Sequence, residues 1–264
     1  MTEPILITGG TGTLGRHLVP LLLDAGRDVR VLSRQRRPEE PSRAERVRGD
    51  LATGEGLEKA VDGAGTIVHC AGSAKGDKDK ALHLVYISVV GANRIPIVSG
   101  LDRAMFGYYG AKLAAERVIA DSGLPWTTLR ATQFHDLMLM TVRQLAKLPV
   151  VPTIAGVPFQ PVDSREVAGR MAELALGEPA GTVPDLGGPR IYEMAELIRS
   201  YLRACGKGRP ILPITMPGQA ARAMRAGANL TPDRPIGRRT WEEFLAEHVH
   251  PATTPWATVH AHDA

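Results

Sequence analysis

The chain has 264 residues, of which 44% are hydrophobic and 23% are charged, the composition of a globular protein with a full hydrophobic core. Its two cysteines exclude a disulfide framework, no C-x-x-C pair indicates a metal site, and no apolar run reaches membrane-spanning length. The net charge of +4 admits a nucleic-acid partner, but many basic residues gather between positions 27 and 48, where a local anion explains them more simply. Because no signal-peptide pattern is present, we expect a cytoplasmic protein with no metal, nucleic-acid or membrane partner.

The first element is a strand over residues 4–8, followed at once by three glycines spaced three residues apart. Leucines at three- and four-residue steps then indicate a helix that ends at Gly26. A strand, a glycine turn and a helix N-terminus together form a cradle for the pyrophosphate of a dinucleotide. Gly9 permits the turn, Gly12 lets the phosphates approach, and Gly15 lets the helix pack closely; the alternative is a structural glycine turn. The predicted phosphate-binding residues are Gly9, Thr11, Gly12, Thr13, Leu14 and Gly15.

A second strand over residues 28–33 ends in a basic segment. At this place an NAD enzyme usually has Asp or Glu to bind the ribose 2′-hydroxyl. This chain has Ser33 and Arg34 there, followed by Arg36 and Arg37, and guanidinium groups bind phosphate with charge-assisted hydrogen bonds. The sequence therefore predicts NADP(H), bound at its 2′-phosphate by Ser33, Arg34 and Arg37, with a solvated basic loop as the alternative.

The next elements alternate between strand and helix at the spacing of parallel βαβ units. Further strands are predicted over 45–49, 66–70, 82–90 and 124–130, with a short helix over 56–61. This pattern predicts an α/β fold with a doubly wound parallel sheet, the Rossmann arrangement.

Four segments of the chain, 8–15, 33–34, 49–51 and 70–72, resemble the atypical short-chain dehydrogenase/reductases. Within them the chain is similar to the NmrA-like, NAD(P)H-binding branch, which includes proteins called nucleoside-diphosphate-sugar epimerases. The resemblance runs from residue 4 to about residue 245. It implies that Asp50 and Leu51 lie by the adenine, and that Ala71 and Gly72 lie by a ribose of the cofactor.

The connection between the fourth and fifth strands departs from that family. Residues 71–81 have about the minimum length for a parallel crossover, whereas the family has a full helix there. Either the helix is reduced to a turn or residues are missing from the chain.

Tyr108 and Lys112 are four residues apart and share one side of a helix predicted over 106–120. An ammonium group beside a phenol favours the phenolate and moves the proton-transfer group towards the working pH. The two residues match the Tyr-x-x-x-Lys pair of the short-chain reductases, and the resemblance implies that Lys112 also binds the nicotinamide ribose. Ser88, near the end of the fifth strand, is the hydroxyl available to orient a substrate carbonyl.

Each of these catalytic assignments has a plainer alternative. Ser88 could serve only to pack its strand, and Tyr109 competes with Tyr108 at a spacing of three from Lys112. Lys112 could also pair with Glu116 on an exposed helix face.

The segment after the sixth strand lies where ligands bind in open α/β sheets. The resemblance implies that the backbone of Gln133 and Phe134 lines the nicotinamide. His135 and Asp136 allow an acid–base role, although a local hydrogen bond is the commoner reason for such a pair. Residues 137–140 could line an apolar pocket or pack in the core.

We predict a Rossmann domain that binds NADP(H) over 1–150, a smaller substrate lobe interleaved with it over 151–247, and a mobile tail over 248–264. The favoured function is an NADPH-dependent oxidoreductase that transfers hydride to a small apolar carbonyl or quinone, with Tyr108 as proton donor and Lys112 lowering its pKa. A non-catalytic NADP(H)-binding redox sensor is the second hypothesis, and a sugar-nucleotide epimerase is the third. The predicted partner is a small-molecule substrate, and the chain is expected to be a monomer or a homodimer.

Overall fold

The structure of the chain is a computed structural model that describes residues 3–34, 43–70 and 82–249. Its strands are β1 (Ile5–Thr8), β2 (Val29–Ser33), β3 (Glu45–Arg48), β4 (Thr66–His69), β5 (His83–Val89), β6 (Trp126–Ala131), β7 (Val151–Ile154), β8 (Pro158–Phe159), β9 (Gly181–Thr182), β10 (Tyr192–Glu193) and β11 (Ile211–Ile214). Its helices are α1 (Gly15–Asp24), α2 (Leu57–Val61), α3 (Gly100–Ala120), α4 (His135–Leu145), α5 (Ser164–Leu176), α6 (Met194–Ala204), α7 (Gln219–Arg225) and α8 (Trp241–His248).

Seven strands form one parallel sheet in the order β3-β2-β1-β4-β5-β6-β9. The order reverses between β1 and β4, so the predicted doubly wound α/β fold is confirmed. In such sheets the crevice at the carboxyl ends of the strands, at this reversal, is where ligands bind. Two small sheets, β10-β8 and β11-β7, lie outside the main one.

Side chains alternate between the two faces of the sheet, as the strand period of two requires. On one side Ile5 and Ile7 pack into a core with Leu18 of α1 and Met171 of α5, and we call this the α1/α5 face. On the other side Leu6 belongs to a separate cluster that extends to α2 and α3, the α2/α3 face.

A third core cluster joins α4, α6, α7 and α8 beyond the sheet. Its largest fully buried side chain is Trp241, whose indole Nε1 donates to the carbonyl of Leu197 at 3.2 Å. Two elements of the range 151–247 are part of the main sheet layer and not of this third cluster. Helix α5 packs on α1, and strand β9 pairs with β6.

Two elements begin elsewhere than the sequence pattern indicates. Helix α3 begins at Gly100, six residues earlier than predicted, because the Ser99 side chain accepts from the Asp102 amide and Asp102 accepts from the Ser99 amide in a capping box. The sequence pattern also predicts a helix over 192–205, which is α6 in the structure and begins at Met194, because Tyr192 and Glu193 pair with β8 as a strand.

Among the helices of the described ranges, none has the length and apolarity needed to span a bilayer. The short crossover over 71–81 and residues 250–264 of the predicted tail lie outside the described residues, and the division into domains stays a prediction.

Candidate functional site

The turn between β1 and α1 requires glycine at two positions, Gly9 because of its backbone conformation and Gly15 because of close packing. Gly9 has φ +72°, a conformation that glycine adopts at no steric cost, and its carbonyl accepts from the Gly12 amide at 2.9 Å. A Cβ on Gly15 would lie 2.3 Å from the Gly9 oxygen and 2.4 Å from the Gly10 Cα. The first turn of α1 therefore lies directly against the backbone of the glycine turn.

The N-terminus of α1 presents free amide groups. The N-cap residue of α1 is Leu14, whose side chain cannot accept a hydrogen bond from the amides of the first turn. Within the described residues, the N–H groups of Thr11, Thr13 and Leu14 have no hydrogen-bond acceptor. Thr11, Gly12 and Thr13 are exposed, so an anion can reach these groups, and the helix dipole favours negative charge there.

The neighbouring turns extend this site along the edge of the sheet. Ser33 ends β2, and the exposed Arg34 follows it directly. The side chain of Asp50 accepts from the Ala52 amide at 2.8 Å, which holds its own turn, and Leu51 is half-buried. Arg37, Ala71 and Gly72 lie outside the described residues.

At the carboxyl ends of three strands, polar side chains occupy the α2/α3 face. The Thr8 hydroxyl lies 2.7 Å from Nδ1 of His69, and the His69 ring stacks on Tyr86 with centroids 5.5 Å apart. Ser88 follows two residues after Tyr86 and faces the same way. Its hydroxyl oxygen is buried and has no hydrogen-bond partner in the part of the chain that the structure describes.

Lys112 reaches from α3 into this polar patch and is only 7% exposed. Its Nζ donates to the carbonyl of Ile87 at 2.9 Å and lies 4.7 Å from the ring centroid of Tyr86. β4 ends at His69, opposite Tyr86, so Ile87 lies where β5 runs on beyond its neighbour. Burial lowers the pKa of Lys112 to about 8, against the opposing attraction of nearby Cys70 and Glu116.

Glu116 is not paired with Lys112 on an exposed face, as the alternative for the lysine required. Its carboxylate instead accepts two hydrogen bonds from the Arg130 guanidinium of β6, at 2.9 Å and 2.6 Å. The ammonium of Lys112 therefore lies against the Ile87 carbonyl and the rings of Tyr86 and Tyr108.

The two adjacent tyrosines of α3 differ in position. Tyr108 is 59% exposed, and the ammonium of Lys112 lies 5.7 Å from its ring centroid. Tyr109 is 8% exposed and its hydroxyl accepts from the Gln133 side chain at 3.4 Å. Tyr108 is therefore the tyrosine that both a solvent-borne ligand and Lys112 can approach. Desolvation and the neighbouring Tyr109 raise the pKa of Tyr108.

The segment after β6 borders the same edge. Gln133 is buried, and its backbone carbonyl accepts from the Val162 amide at 2.9 Å. Phe134 is the N-cap of α4 and carries no side-chain cap. The amide oxygen of Gln133 has no partner among residues 3–34, 43–70 and 82–249.

A family model described as NAD(P)H-binding matches residues 9–147, just over half of the chain. The chain belongs to this NAD(P)H-binding family. Its likeness to the NmrA-like, atypical short-chain dehydrogenase/reductases is confirmed, and the family is reductase-like.

Relatives of this NAD(P)H-binding protein include a reductase. Uncharacterized protein Rv2047c of Mycobacterium tuberculosis is 30% identical over 214 residues, covering 81% of this chain and 24% of that protein, so the chain spans about a quarter of that relative. The (4-alkanoyl-5-oxo-2,5-dihydrofuran-3-yl)methyl phosphate reductase of Streptomyces griseus is 27% identical over 223 residues, covering 77% of this chain and 74% of the reductase.

The fold is shared with a solved oxidoreductase. The NADPH complex of the Escherichia coli NADPH-dependent quinone oxidoreductase QOR2 aligns with a TM-score of 0.72 over 92% of this chain and 99% of that one, at 17% identity.

His135 and Asp136 do not form an acid–base pair in this NAD(P)H-binding chain. His135 is fully buried against Trp241 and Phe244, and burial lowers its pKa to about 4. Asp136 instead accepts from Ser164 at 2.7 Å and pairs with Arg16. In the segment 137–140, Met138 and Leu139 are buried in the core, whereas Leu137 and Met140 are exposed.

Sequence reasoning missed the stacked pair of His69 and Tyr86. A signal was available, because each lies on the α2/α3 face near the carboxyl end of its strand, and the strands are neighbours. Because the two residues are paired across the strands, their side chains contact each other beneath Lys112.

Proposed function

We propose that the chain is an NADPH-dependent oxidoreductase that reduces a small apolar carbonyl or quinone. The observation that carries this proposal is the buried ammonium of Lys112, held by the Ile87 carbonyl between the rings of Tyr86 and Tyr108 at the carboxyl ends of the strands. A buried cation in this setting is a device for binding hydroxyls or stabilising developing negative charge.

The residues of the glycine turn fit a dinucleotide. The free amides of Thr11, Thr13 and Leu14 would bind the pyrophosphate, and Gly12 is exposed beside them with no side chain in the way. Ser33 and Arg34 would bind the 2′-phosphate, with the predicted contribution of Arg37. Asp50 and Leu51 would border the adenine, while Lys112, Gln133 and Phe134 would border the nicotinamide half. NADP(H), when bound, supplies a hydride to the carbonyl carbon of the acceptor.

We assign to Tyr108 the role of proton donor. Because its pKa is raised, its phenol is protonated at neutral pH and can donate its proton to the acceptor oxygen as the carbonyl becomes a hydroxyl. Lys112 is charged below its pKa of about 8 and stabilises the phenolate that remains. Ser88 is assigned the role of orienting the acceptor oxygen, for which its unpartnered hydroxyl is available.

The surface beside Tyr108 supports an uncharged acceptor. Leu101 and Met105 are exposed and lie on the same side of α3 as Tyr108, since Leu101 is four residues before Met105 and Met105 is three residues before Tyr108. Leu137 and Met140, exposed on α4 just after the nicotinamide-binding segment, add apolar surface.

The decisive experiment follows NADPH oxidation with a panel of aldehydes, ketones and quinones in the parent protein and in Tyr108→Phe. Carbonyl reduction is expected to fall by about 10²–10⁴-fold in the variant, the typical contribution of a positioned acid. Tyr109→Phe is the matched control and should retain activity, because Tyr109 is buried and, among the residues that the structure describes, its hydroxyl accepts only from Gln133. Unchanged carbonyl reduction in Tyr108→Phe would remove Tyr108 from the chemistry.

The cofactor assignment is tested at Arg34. Arg34→Ala should weaken NADPH binding by about tenfold or more and leave NADH binding unchanged, since a charge-assisted bond to phosphate is lost. Arg199→Ala, an exposed arginine of α6, is the control. Equal weakening of both nucleotides would refute the 2′-phosphate contact.

A second candidate, a non-catalytic NADP(H)-binding sensor, is favoured by one observation. Desolvation and Tyr109 raise the pKa of Tyr108, so Lys112, 5.7 Å from the ring centroid, does not lower the pKa of the phenol as the sequence predicts. Tight NADPH binding without turnover of any acceptor would favour the sensor.

A further inference from the structure

A basic cavity of about 430 Å³ lies between the C-terminal ends of α4 and α6. Its two buried lining residues, Ala146 and Tyr201, belong to the third core cluster. The remaining lining residues are all positively charged, and we call them the cavity cations: Arg143, Lys147, Lys207 and Arg209. No carboxylate of the described residues lines the cavity, so its field attracts anions.

None of the cavity cations is paired with a carboxylate in the part of the chain that the structure describes. Arginines elsewhere in the molecule, such as Arg30, Arg165 and Arg239, do form such ion pairs. Like charges around one cavity repel one another, and an anion between them would replace this repulsion with attraction.

The hydrogen bonds of the cavity cations leave their charges available to a ligand. Arg143 donates to the carbonyl of His248 at 2.9 Å, and Lys147 donates to the side chain of Gln144 at 2.7 Å. Both acceptors are uncharged, so neither cation is neutralised. Among the described residues, the side chains of the other two cations have no hydrogen-bond acceptor. All four residues are exposed, and a ligand can reach them from solvent.

The backbone that carries the two cations between α6 and β11 is fixed by hydrogen bonds. Helix α6 ends in a Schellman motif, in which Gly206 has φ +64° and the Lys207 amide turns back to donate to the Leu202 carbonyl at 2.9 Å. The carbonyl of the residue after Arg209 accepts from the Val151 amide at 2.9 Å. Both cations are therefore held beside the end of α4 before a ligand binds.

The helix dipole explains some of these charges but not all of them. Cations are stabilised near the C-terminus of a helix, and this effect falls off within the last turn. Arg143 lies in the last turn of α4, which is such a position. Arg209 lies well beyond Ala204, the last residue of α6, and directly before β11 begins. Its place on the cavity therefore requires another explanation.

The segment after Val249 carries too little negative charge to neutralise the cavity. His248 lies beside the cavity, because its carbonyl accepts from Arg143. Residues 250–264 contain a single acidic side chain, that of Asp263. One carboxylate cannot balance four cations, so positive charge is left for a ligand.

The size and charge of the cavity favour a small phosphorylated molecule. Its volume lies within the range of small-molecule sites, roughly 300–1,000 Å³. A phosphate group carries up to about two negative charges and three acceptor oxygens, so it can accept from several cations at once. Two such groups are needed to balance four cations.

We propose that the basic cavity binds a small molecule with at least two phosphate groups. The site does not depend on the proposed oxidoreductase activity. Phe134, which we assign to the nicotinamide, precedes α4, and the cavity lies at the other end of this helix of 11 residues, roughly 15 Å away. The ligand of the cavity is therefore not the molecule that accepts the hydride.

The test is calorimetric titration of the full chain, without nucleotide and at low ionic strength, with inorganic phosphate and with inorganic pyrophosphate. Pyrophosphate should bind at least about tenfold more tightly, because its second phosphate group reaches further cations. Equal affinities would refute the requirement for two groups. Absence of pyrophosphate binding would overturn the proposal, whatever the outcome of the NADPH experiments.

A pair of double variants locates the site. Lys207→Gln with Arg209→Gln should weaken pyrophosphate binding at least about tenfold, since two charge-assisted contacts are lost. Arg199→Gln with Arg222→Gln is the matched control, because it removes the same charge from two exposed residues that do not line the cavity. Equal pyrophosphate binding by the two double variants would place the anion elsewhere and overturn the assignment.

Pyrophosphate could also bind at the glycine turn before α1, and Gly15→Ala separates the two sites. Binding at the cavity should persist in Gly15→Ala, because the substituted residue is remote from the cavity lining. Loss of pyrophosphate binding in Gly15→Ala, together with full binding in the Lys207 and Arg209 double variant, would assign the anion to the turn and refute the cavity site.

Discussion

The two faces of the central sheet are built differently. The α1/α5 face is filled by close-packed aliphatic side chains, with α5 lying against α1. Towards the carboxyl ends of the strands, the α2/α3 face carries Thr8, His69, Tyr86 and Ser88 beneath Lys112.

This difference separates stability from function within one sheet. The α1/α5 face is stabilised mainly by aliphatic packing, and its buried polar pair, His83 and Thr127, is hydrogen-bonded at 2.9 Å. The α2/α3 face buries a cation and unpartnered polar atoms, and so gives up part of that stabilisation for groups that can act on a ligand. The first of the three predictions below compares the two faces directly, and the other two each test one feature of the site.

The largest effect is expected from truncating one leucine on each face. Leu18→Ala removes a fully buried side chain from the α1/α5 face and should lower the free energy of unfolding by about 4 kcal/mol. Leu84→Ala on the α2/α3 face should cost about 2 kcal/mol, because Leu84 is 7% exposed whereas Leu18 is fully buried. Urea denaturation measures both, and equal losses would contradict the difference in packing.

A smaller effect is expected from adding one methyl group next to the phosphate-binding turn. Gly15→Ala places a Cβ 2.3 Å from the Gly9 oxygen, so the turn must shift; the free energy of unfolding should fall by about 1–3 kcal/mol and NADPH affinity by more than tenfold. Gly169→Ala in α5 is the control, since nothing lies within 4 Å of its Cβ, and it should raise stability by about 0.5–1 kcal/mol. If Gly15→Ala bound NADPH normally, the turn would not be the cradle.

The third effect is the response of stability to alkaline pH. The pKa of Lys112 is about 8 in the folded chain and returns to about 10.4 on unfolding, so the unfolded chain binds more protons between these values. Stability from this group therefore rises as the pH is raised from about 8 to about 10.4, while activity should fall as the ammonium is lost. In Lys112→Met this rise should disappear from thermal unfolding curves; its persistence would assign it to another group.

Most of the main sheet could be predicted from the sequence. Its strands are short apolar runs separated by helical periods, and the strand predicted over 28–33 is β2 within one residue. Strand β9 could not be predicted, because Gly181 and Thr182 are too few to form a pattern. The start of α3 was not predicted correctly, because its capping box has Asp102 where Glu or Gln is usual.

The candidate site was predictable only in part. The spacing of four between Tyr108 and Lys112 places both side chains on one side of α3, and their distance in the structure agrees with that. The hydrogen-bond partner of Lys112 is a backbone carbonyl 25 residues away, which no side-chain pattern encodes. Burial of Lys112 also depends on the packing of α3 on β5, and the sequence does not specify that distance.

The ion pair between Arg130 and Glu116 fixes the register of α3 on the sheet. Arg130 lies on β6 and Glu116 lies one helical turn beyond Lys112, and both side chains are mostly buried. Sliding the helix along the strands would break a bidentate pair and leave buried charges uncompensated, at about 3–5 kcal/mol. Tyr108 and Lys112 are therefore held in position before any ligand arrives. The conformational entropy of ordering them is lost when the chain folds, so ligand binding does not have to overcome that loss again.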